Sequence, residues 1–220
     1  MRKLNYLWYG ILSIAAPLAI LLLSANLVTR VPSVYVYYFN DSQSVNQLYT
    51  DVTPSEFAGE LASYVNFRGE EKFQVYEKNG SFRDPVFEKR DQKVMRNVRK
   101  QLLFSVIAFI LSTLIACAIY IYLYKKNFKT ALLVQCYIWP SVMVGYLVLF
   151  NWIARNASLR YWYYNSVLGG GLGTKSQLYK LLGTGFYSTF ATFTTLVAVA
   201  LLCCLIYGNY VLNKKQRLFS

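Results

Sequence analysis

Four long apolar segments dominate the pattern of hydrophobic and polar positions along the chain. Each holds about 20 or more uncharged residues, and the segments cover 6–29, 102–124, 131–154 and 181–210. A helix of this length, at about 1.5 Å per residue, crosses a hydrocarbon layer of about 30 Å. Hydrophobic residues make up 55% of the 220 residues, more than the core of one soluble domain buries. The pattern predicts an all-α membrane protein with four transmembrane helices, and it excludes a soluble enzyme, a DNA-binding domain and a disordered protein.

These segments divide the chain into five predicted regions. Residues 1–29 form the first transmembrane helix, and 30–100 form a small extracytoplasmic domain between spans one and two. We interpret the first segment as a retained anchor, because its apolar stretch is longer than the core of a cleaved signal peptide. The remaining regions are the second and third helices with a short cytoplasmic loop, a second extracytoplasmic loop, and the fourth helix with a cytoplasmic tail: 101–154, 155–182 and 183–220.

The charge distribution indicates a lipid surface rather than a nucleic acid. The formal net charge is +13, but all ten Asp and Glu residues lie within 41–91. The basic residues outside 30–100 have no acidic neighbours and lie beside the apolar segments, where cations meet lipid phosphates. The short loops on the side of the N-terminus carry more basic residues than the 155–182 loop. We therefore expect a multi-pass protein of the cytoplasmic membrane with both termini cytoplasmic.

Local patterns in 30–100 predict further elements. The aromatic and β-branched run 34–39 favours a strand, as does 73–77, which is followed by an Asn79-Gly80 turn. Thr53-Pro54-Ser55-Glu56 is typical of a capped helix start. We expect the apolar stripe of that helix to lie on the membrane surface or on the other outer loop; its members are Phe57, Ala58, Leu61, Tyr64 and Val65.

A second helix start is predicted at Asp84-Pro85, from which one helix continues into the second span without a break. Its basic residues Lys89, Lys93, Arg96 and Lys100 share one face. They are either juxtamembrane cations that extend to the head groups, or a site for the phosphate or carbonyl groups of a lipidated substrate. The second loop is basic and aromatic from Arg155 to Ser166, as expected at a membrane interface.

The sequence offers few groups for catalysis. It contains no histidine, the usual general base at neutral pH. All four cysteines fall inside the predicted spans, and no Cys/His spacing suits a metal, so we predict neither a metal nor a cofactor.

The layout of the chain resembles the bacterial lipoprotein intramolecular transacylase family. The resemblance rests on four spans, on Arg30-x-Pro32-x-x-Tyr35-x-Tyr37 after the first, on a Ser/Thr-started helix that ends in Tyr64-Val65-Asn66, and on Phe87-Glu88-x-x-Asp91-x-x-x-Met95-x-x-Val98 before the second. It implies an enzyme at the outer face of the cytoplasmic membrane, which moves an acyl chain from the glyceryl group of a lipoprotein's N-terminal cysteine to its amino group. It also implies one histidine before span two and another in the loop after span three.

This chain has Val94 or Asn97 at the first of these positions and Asn165 at the second. Asparagine forms hydrogen bonds but cannot act as a base. Two hypotheses follow: an acyl-transfer enzyme, catalytically degenerate in one form, and a non-enzymatic accessory subunit of a membrane protein complex. Both predict a lipid, a lipoprotein or a membrane complex as partner, and no nucleic acid. We predict a substrate site made by Arg90, Lys93, Arg96, Asn97, Arg160, Tyr164 and Asn165.

Overall fold

The computed structural model describes residues 2–42, 44–45, 52–68, 73–79, 82–169, 176–182 and 184–215. Within these ranges the chain is almost entirely helical. The helices are α1 (Arg2–Arg30), α2 (Pro32–Ser42), α3 (Pro54–Val65), α4 (Lys89–Lys125), α5 (Lys129–Arg155), α6 (Ala157–Trp162), α7 (Gln177–Leu181) and α8 (Thr184–Lys215), with a π-helical turn at Tyr163–Val167. One hairpin of β1 (Tyr76–Asn79) and β2 (Phe82–Pro85) interrupts them.

Within the described part of the chain, four helices are long and apolar enough to cross a membrane. The stretches are Tyr6–Arg30, Lys89–Lys125, Lys129–Arg155 and Gly185–Asn213. The predicted all-α membrane protein with four transmembrane helices is therefore confirmed. The fourth of these helices, α8, begins at Thr184. Leu181, the first residue of the fourth predicted segment, instead is the last residue of the short helix α7.

Helix α4 is longer than a membrane crossing needs. Its 37 residues span about 55 Å, against a hydrocarbon thickness of about 30 Å. Its first three turns are charged, and the apolar stretch begins at Leu102, so residues 89–101 precede the membrane-crossing part. The predicted continuity into span two is confirmed. The predicted start at Asp84-Pro85 is wrong, because Pro85 pairs with Tyr76 in the hairpin.

The chain divides into two compact units. The bundle unit consists of Met1–Ala25, Ser105–Phe150 and Thr194–Ser220. Its core contains Leu12, Leu123, Leu132, Trp139 and Met143. Many of its aliphatic side chains are more than half exposed, as is normal for helices that face lipid tails; they include Ile14, Leu111, Leu114, Val144, Val148 and Leu196.

Uncharged polar side chains tie the helices of the bundle unit together. Ser13 on α1 donates to Gln135 Oε1 on α5 at 2.9 Å. Asn209 on α8 donates to the Leu132 carbonyl at 2.7 Å and accepts from the Tyr120 hydroxyl at 2.8 Å. Gln135 therefore joins α5 to α1. Hydrogen bonds of this kind join helices where the hydrophobic effect between them is absent.

The loop unit consists of Asn26–Phe104 and Asn151–Phe193. Aromatic rings form the centre of its core: Phe57 lies edge-on to Phe39 at 5.7 Å and to Phe87 at 5.6 Å. The core also takes Tyr164 and Leu168 from the second loop. The apolar stripe of α3 is therefore buried within this unit, in the same core as Tyr164 and Leu168 of the second loop.

The predicted strand at 34–39 is wrong, because these residues belong to α2. Pro32 opens α2 at the position where its fixed φ and missing N–H are tolerated. The buried side chains Tyr35, Tyr38 and Phe39 recur at helical spacing. Tertiary burial of three aromatic rings outweighs the β-propensity of the segment.

The predicted start of α3 is confirmed in detail. Thr53 Oγ1 accepts the Glu56 N–H at 3.3 Å, and the Glu56 carboxylate accepts the Thr53 N–H at 3.0 Å. This reciprocal capping box fixes the first turn of α3. In the hairpin, the first strand starts at Tyr76 rather than at the predicted Phe73, and the predicted Asn79-Gly80 turn lies partly outside the described residues.

Candidate functional site

The helix before span two and the loop after span three meet within the loop unit. Asn97 Nδ2 donates to the Leu168 carbonyl at 2.9 Å. The next residue, Gly169, has a φ of +74°, and a Cβ added there would lie 3.7 Å from Asn97 Nδ2 and 3.8 Å from Lys93 Cε. The positive φ explains the glycine. Lys93 and Asn97, predicted from the sequence, therefore lie against the end of the second loop.

A second hydrogen bond joins the same two segments. The Tyr163 hydroxyl donates to Gln101 Oε1, one turn along α4 from Asn97. Both contacts are made from the π-helical turn and its end. A π-helical turn re-aims side chains relative to an ordinary helix, and such turns are frequent at functional sites.

Tyr164 and Asn165 have different surroundings. Tyr164 is 2% exposed, and its hydroxyl lies 2.9 Å from Ser176 Oγ. Asn165 Oδ1 is buried and has no hydrogen-bond partner within the described part of the chain. A buried acceptor without a donor is costly. Asn165 is therefore the predicted site residue with an unused hydrogen-bonding group.

A buried carboxylate completes a polar chain that the sequence analysis did not identify. Asp91 is 1% exposed, and its Oδ1 accepts the Ser176 hydroxyl at 2.5 Å. Because that proton points to Asp91, the Tyr164 hydroxyl donates to Ser176 Oγ, which also accepts the Tyr179 N–H at 3.1 Å. Tyr164, Ser176 and Asp91 therefore form one hydrogen-bonded chain, which we call the carboxylate chain.

Burial governs the titration of the carboxylate chain. It raises the pKa of the Asp91 carboxyl above its ordinary value, and the hydrogen bond from Ser176 offsets part of the rise. It also raises the pKa of the Tyr164 hydroxyl, which the neighbouring Asp91 charge raises further. The Arg90 charge opposes both shifts. A carboxyl with a raised pKa is a stronger base than an ordinary aspartate.

The predicted cations are arranged unevenly. Arg90, Lys93 and Arg96 are exposed on α4. The Arg160 guanidinium lies 5.9 Å from the centre of the Tyr187 ring. The charge of Arg90 lowers the pKa values of Asp91 and Tyr164, and Lys93 lies near Gly169. Arg96 forms no hydrogen bond or ion pair with any described residue. Five of the seven predicted residues thus lie at or beside the contact between α4 and the loop: Arg90, Lys93, Asn97, Tyr164 and Asn165.

The two positions at which the resemblance implies histidines hold no base. The first position is either Val94, which is completely buried in the apolar core of the loop unit, or Asn97, which donates to the Leu168 carbonyl. The second position is Asn165, an amide that cannot act as a base. Within the described ranges, no three Cys, Asp or Glu side chains lie close enough to hold a metal ion. The carboxylate chain was missed because Asp91 and Ser176 are 85 residues apart, and Ser176 has the sequence signature of an ordinary helix cap.

Known structures share this fold. Two in meso structures of the membrane-integral lipoprotein intramolecular transacylase Lit from Bacillus cereus match, one of a variant with a histidine replaced by arginine and one of a variant with it replaced by alanine. The first has a TM-score of 0.71 at 17% identity and covers 99% of this chain and 96% of its own. The second has a TM-score of 0.73 at 16% identity, with 99% and 97% covered.

No curated protein matches the chain. A family model does: the one described as lipoprotein intramolecular transacylase Lit matches residues 10–164. This range includes three transmembrane helices and most of the loop unit, well over half of the sequence. The chain is therefore a multi-pass membrane protein that belongs to the lipoprotein intramolecular transacylase family, Lit.

Proposed function

We propose that this protein transfers an acyl chain within a lipoprotein substrate at the outer face of the cytoplasmic membrane, with the carboxylate chain moving the proton. Family membership supports the reaction class. The observation that carries the proposal is the buried Asp91 carboxyl, hydrogen-bonded through Ser176 to Tyr164. In a chain without histidine, this carboxyl, with its raised pKa, is the best-placed base among the described residues of the loop unit.

The proposed step needs no co-reactant. The nitrogen of the substrate's α-amine attacks the ester carbonyl, a C–N bond forms, and the C–O bond to the glyceryl group breaks. The proton lost by the amine passes through the Tyr164 and Ser176 hydroxyls to Asp91, and it returns by the same route to the glyceryl oxygen. Asn165 Oδ1, which lacks a donor among the described residues, is available to accept a hydrogen bond from the amine before attack.

The surrounding cations suit the polar end of such a substrate. Arg90 and Lys93 lie on the same turn of α4 as Asp91 of the carboxylate chain, and Arg160 lies in the second loop. Positive side chains stabilise the negative charge that develops on an ester carbonyl oxygen during attack. Arg96 is exposed and contributes to this role only at long range.

The test is expression in a host that lacks lipoprotein N-acylation. Because intramolecular transfer is an isomerisation, the intact mass of the lipoprotein does not change. The N-terminal lipopeptide must therefore be fragmented to locate the acyl chain on nitrogen, and its amine must become inert to amine-directed labelling. Asp91→Asn should abolish the product, while Asp41→Asn, the same change at an exposed carboxylate, should leave it intact.

A second function, binding without transfer, is favoured by Val94. Val94, which is buried and apolar, is one of the two alternatives, with Asn97, for the first position at which the resemblance implies a histidine. On this hypothesis the protein is an accessory subunit that holds a lipoprotein or a membrane complex. Unchanged diacylglyceryl lipoprotein, with the protein present in the membrane and a partner co-purifying, would support this function. It would also refute acyl transfer.

The orientation is part of the proposal and has its own test. Asn127 lies in the short loop between α4 and α5, and Ser158 lies on α6; both are exposed. In a variant without native cysteines, a cysteine at position 158 should react with a membrane-impermeant maleimide in intact cells. A cysteine at position 127 should react only after lysis. The opposite pattern would place both termini outside.

A further inference from the structure

A phenylalanine in the loop unit occupies a backbone conformation that is unfavourable for it. Phe67 has a φ of +60°. It closes α3 in a Schellman motif, in which the Arg68 N–H donates to the Ser63 carbonyl at 3.0 Å and the Phe67 N–H donates to the Tyr64 carbonyl at 3.2 Å. This position normally takes glycine or asparagine, because a Cβ is strained there. Strain of this kind points to a role for the side chain.

Two arginines converge on the Phe67 ring. The guanidinium carbon of Arg99 lies 4.7 Å from the ring centre, and that of Arg30 lies 5.8 Å from it. Arg99 also lies 5.0 Å from the centre of the buried Tyr64 ring. Arg30 is fixed by Asn66, whose Nδ2 donates to the Arg30 carbonyl at 3.0 Å and whose Oδ1 accepts from the guanidinium at 3.4 Å. Two positioned cations therefore lie beside the Phe67 ring, which is 40% exposed.

These cations are not neutralised within the described part of the chain, where neither guanidinium forms an ion pair with a carboxylate. Two like charges held at one ring repel each other. An anion between them would remove this cost, and planar guanidinium groups match the geometry of phosphate.

The position of both arginines in the sequence indicates where that phosphate comes from. Arg30 is the last residue of the first membrane-crossing helix. Arg99 lies less than one turn before the apolar part of α4 begins at Leu102. Both side chains thus lie at a membrane edge, the depth at which phospholipid head groups lie, and the exposed Phe67 ring beside them suits contact with an acyl chain.

We propose that Arg30, Arg99 and Phe67 form a binding site for the phosphate of a phospholipid. This site uses none of the residues of the carboxylate chain, so it does not rest on the proposed acyl transfer. Its ligand also differs from a diacylglyceryl lipoprotein, because the chemistry recognised here is phosphate rather than an ester or an amine.

The test is native mass spectrometry of the full-length protein, purified in detergent and titrated with three probes: phosphatidylglycerol, diacylglycerol with the same chains, and inorganic phosphate. Arg30→Ala and Arg99→Ala should each weaken phosphatidylglycerol binding about tenfold, and Phe67→Ala should weaken it less. Lys100→Ala is the matched control, since Lys100 is the exposed cation next to Arg99, and it should bind as wild type. Diacylglycerol binding should not respond to any of these changes.

Arg99→Lys guards against a folding defect, because it keeps the charge but loses the planar, bidentate group. It should melt as wild type and still bind phosphatidylglycerol more weakly. The proposal is overturned if wild type retains no phosphatidylglycerol, or if the arginine variants retain it as wild type does. Arginine-dependent binding of inorganic phosphate with the same affinity would assign the site to free phosphate and overturn the lipid source.

Discussion

The two units of this protein both bury polar side chains, but of different kinds. The bundle unit buries neutral groups, of which Gln135 and Asn209 are the clearest cases. The loop unit buries the carboxyl of Asp91 and leaves cations at its surface. A charge within the hydrocarbon layer is expensive, so the membrane-crossing helices are joined by amides and hydroxyls. The ionisable groups on which the proposed acyl transfer rests lie in the loop unit.

The two units also end helices with the same motif but with different residues. In the bundle unit, α4 ends with Asn127 at a φ of +61°, and the Phe128 N–H donates to the Leu123 carbonyl at 3.1 Å. In the loop unit, Phe67 takes the equivalent place after α3. Asparagine adopts this conformation at little cost, whereas phenylalanine is strained in it. The bundle unit thus follows local preference where the loop unit departs from it.

The largest expected difference between the units is the cost of truncating a fully buried core side chain. Phe57→Ala in the loop unit should lower the unfolding free energy by about 3–5 kcal/mol, because the removed ring is fully buried between Phe39 and Phe87. Leu123 is also fully buried, but Leu123→Ala in the bundle unit should cost only about 2 kcal/mol, because lipid tails surround this leucine once the helices separate and mainly packing is lost. Unfolding in mixed micelles, followed by hydrogen exchange in each unit, measures both. Equal losses would contradict the comparison.

The second prediction concerns the neutral network of the bundle. Asn209→Ala removes the donor to the Leu132 carbonyl and the acceptor for Tyr120. We expect a loss of about 1–2 kcal/mol that stays constant with pH, because no member of this network changes charge near neutrality. The exposed Cys203 on the same helix offers a control: Cys203→Ala should be neutral within about 0.5 kcal/mol. A pH-dependent loss at Asn209 would mean that an ionisable group takes part.

The sequence predicted the bundle unit better than the loop unit, for a physical reason. A membrane-crossing helix must satisfy its backbone internally and stay apolar over its whole length, so composition alone reveals it. The loop unit is fixed by contacts between distant residues. The run 34–39 has strand propensity but becomes α2, because Tyr35, Tyr38 and Phe39 are buried by partners from other segments.

The candidate site was also predictable only where a local sequence pattern marks its residues. Lys93 and Asn97 were identified because helical spacing is visible in the sequence, and the structure brings them to Gly169 and Leu168. Asp91, although it lies on the same helix, was not selected. Its role depends on Ser176, and no local pattern connects these two residues. Likewise, nothing in the sequence around Phe67 reveals its positive φ.

The third prediction contrasts the ionisable network with the neutral one. The pKa of Asp91 is raised in the folded protein, so the folded state holds this proton more tightly than the unfolded chain does. The Asp91 contribution to the unfolding free energy is therefore most favourable below the ordinary pKa of about 4, falls as pH rises through the folded pKa, and is constant above it. Asp91→Asn should remove this slope.

Thermal unfolding midpoints measured between about pH 3 and 8 test this third prediction. Asp41→Asn changes an exposed carboxylate and should leave the slope as in wild type. A slope that persists in Asp91→Asn would mean that another group of the loop unit titrates with folding.

The smallest expected effect compares the two helix ends directly. Asn127→Phe should cost about 1 kcal/mol, because a bulky side chain then adopts the left-handed conformation without compensating contacts, while Asn127→Gly should be neutral or slightly stabilising. Phe67→Asn relieves the equivalent strain but gives up the contacts of Arg30 and Arg99 with the ring, each worth about 0.5–1 kcal/mol. Its net change should therefore be near zero. Thermal unfolding of the three variants distinguishes two explanations of Phe67. Either its backbone strain is offset by the contacts with the two arginines, or this position of the motif accepts any residue without strain. If Asn127→Phe proves neutral, Phe67 carries no strain, and its conformation gives no reason to assign the ring a function.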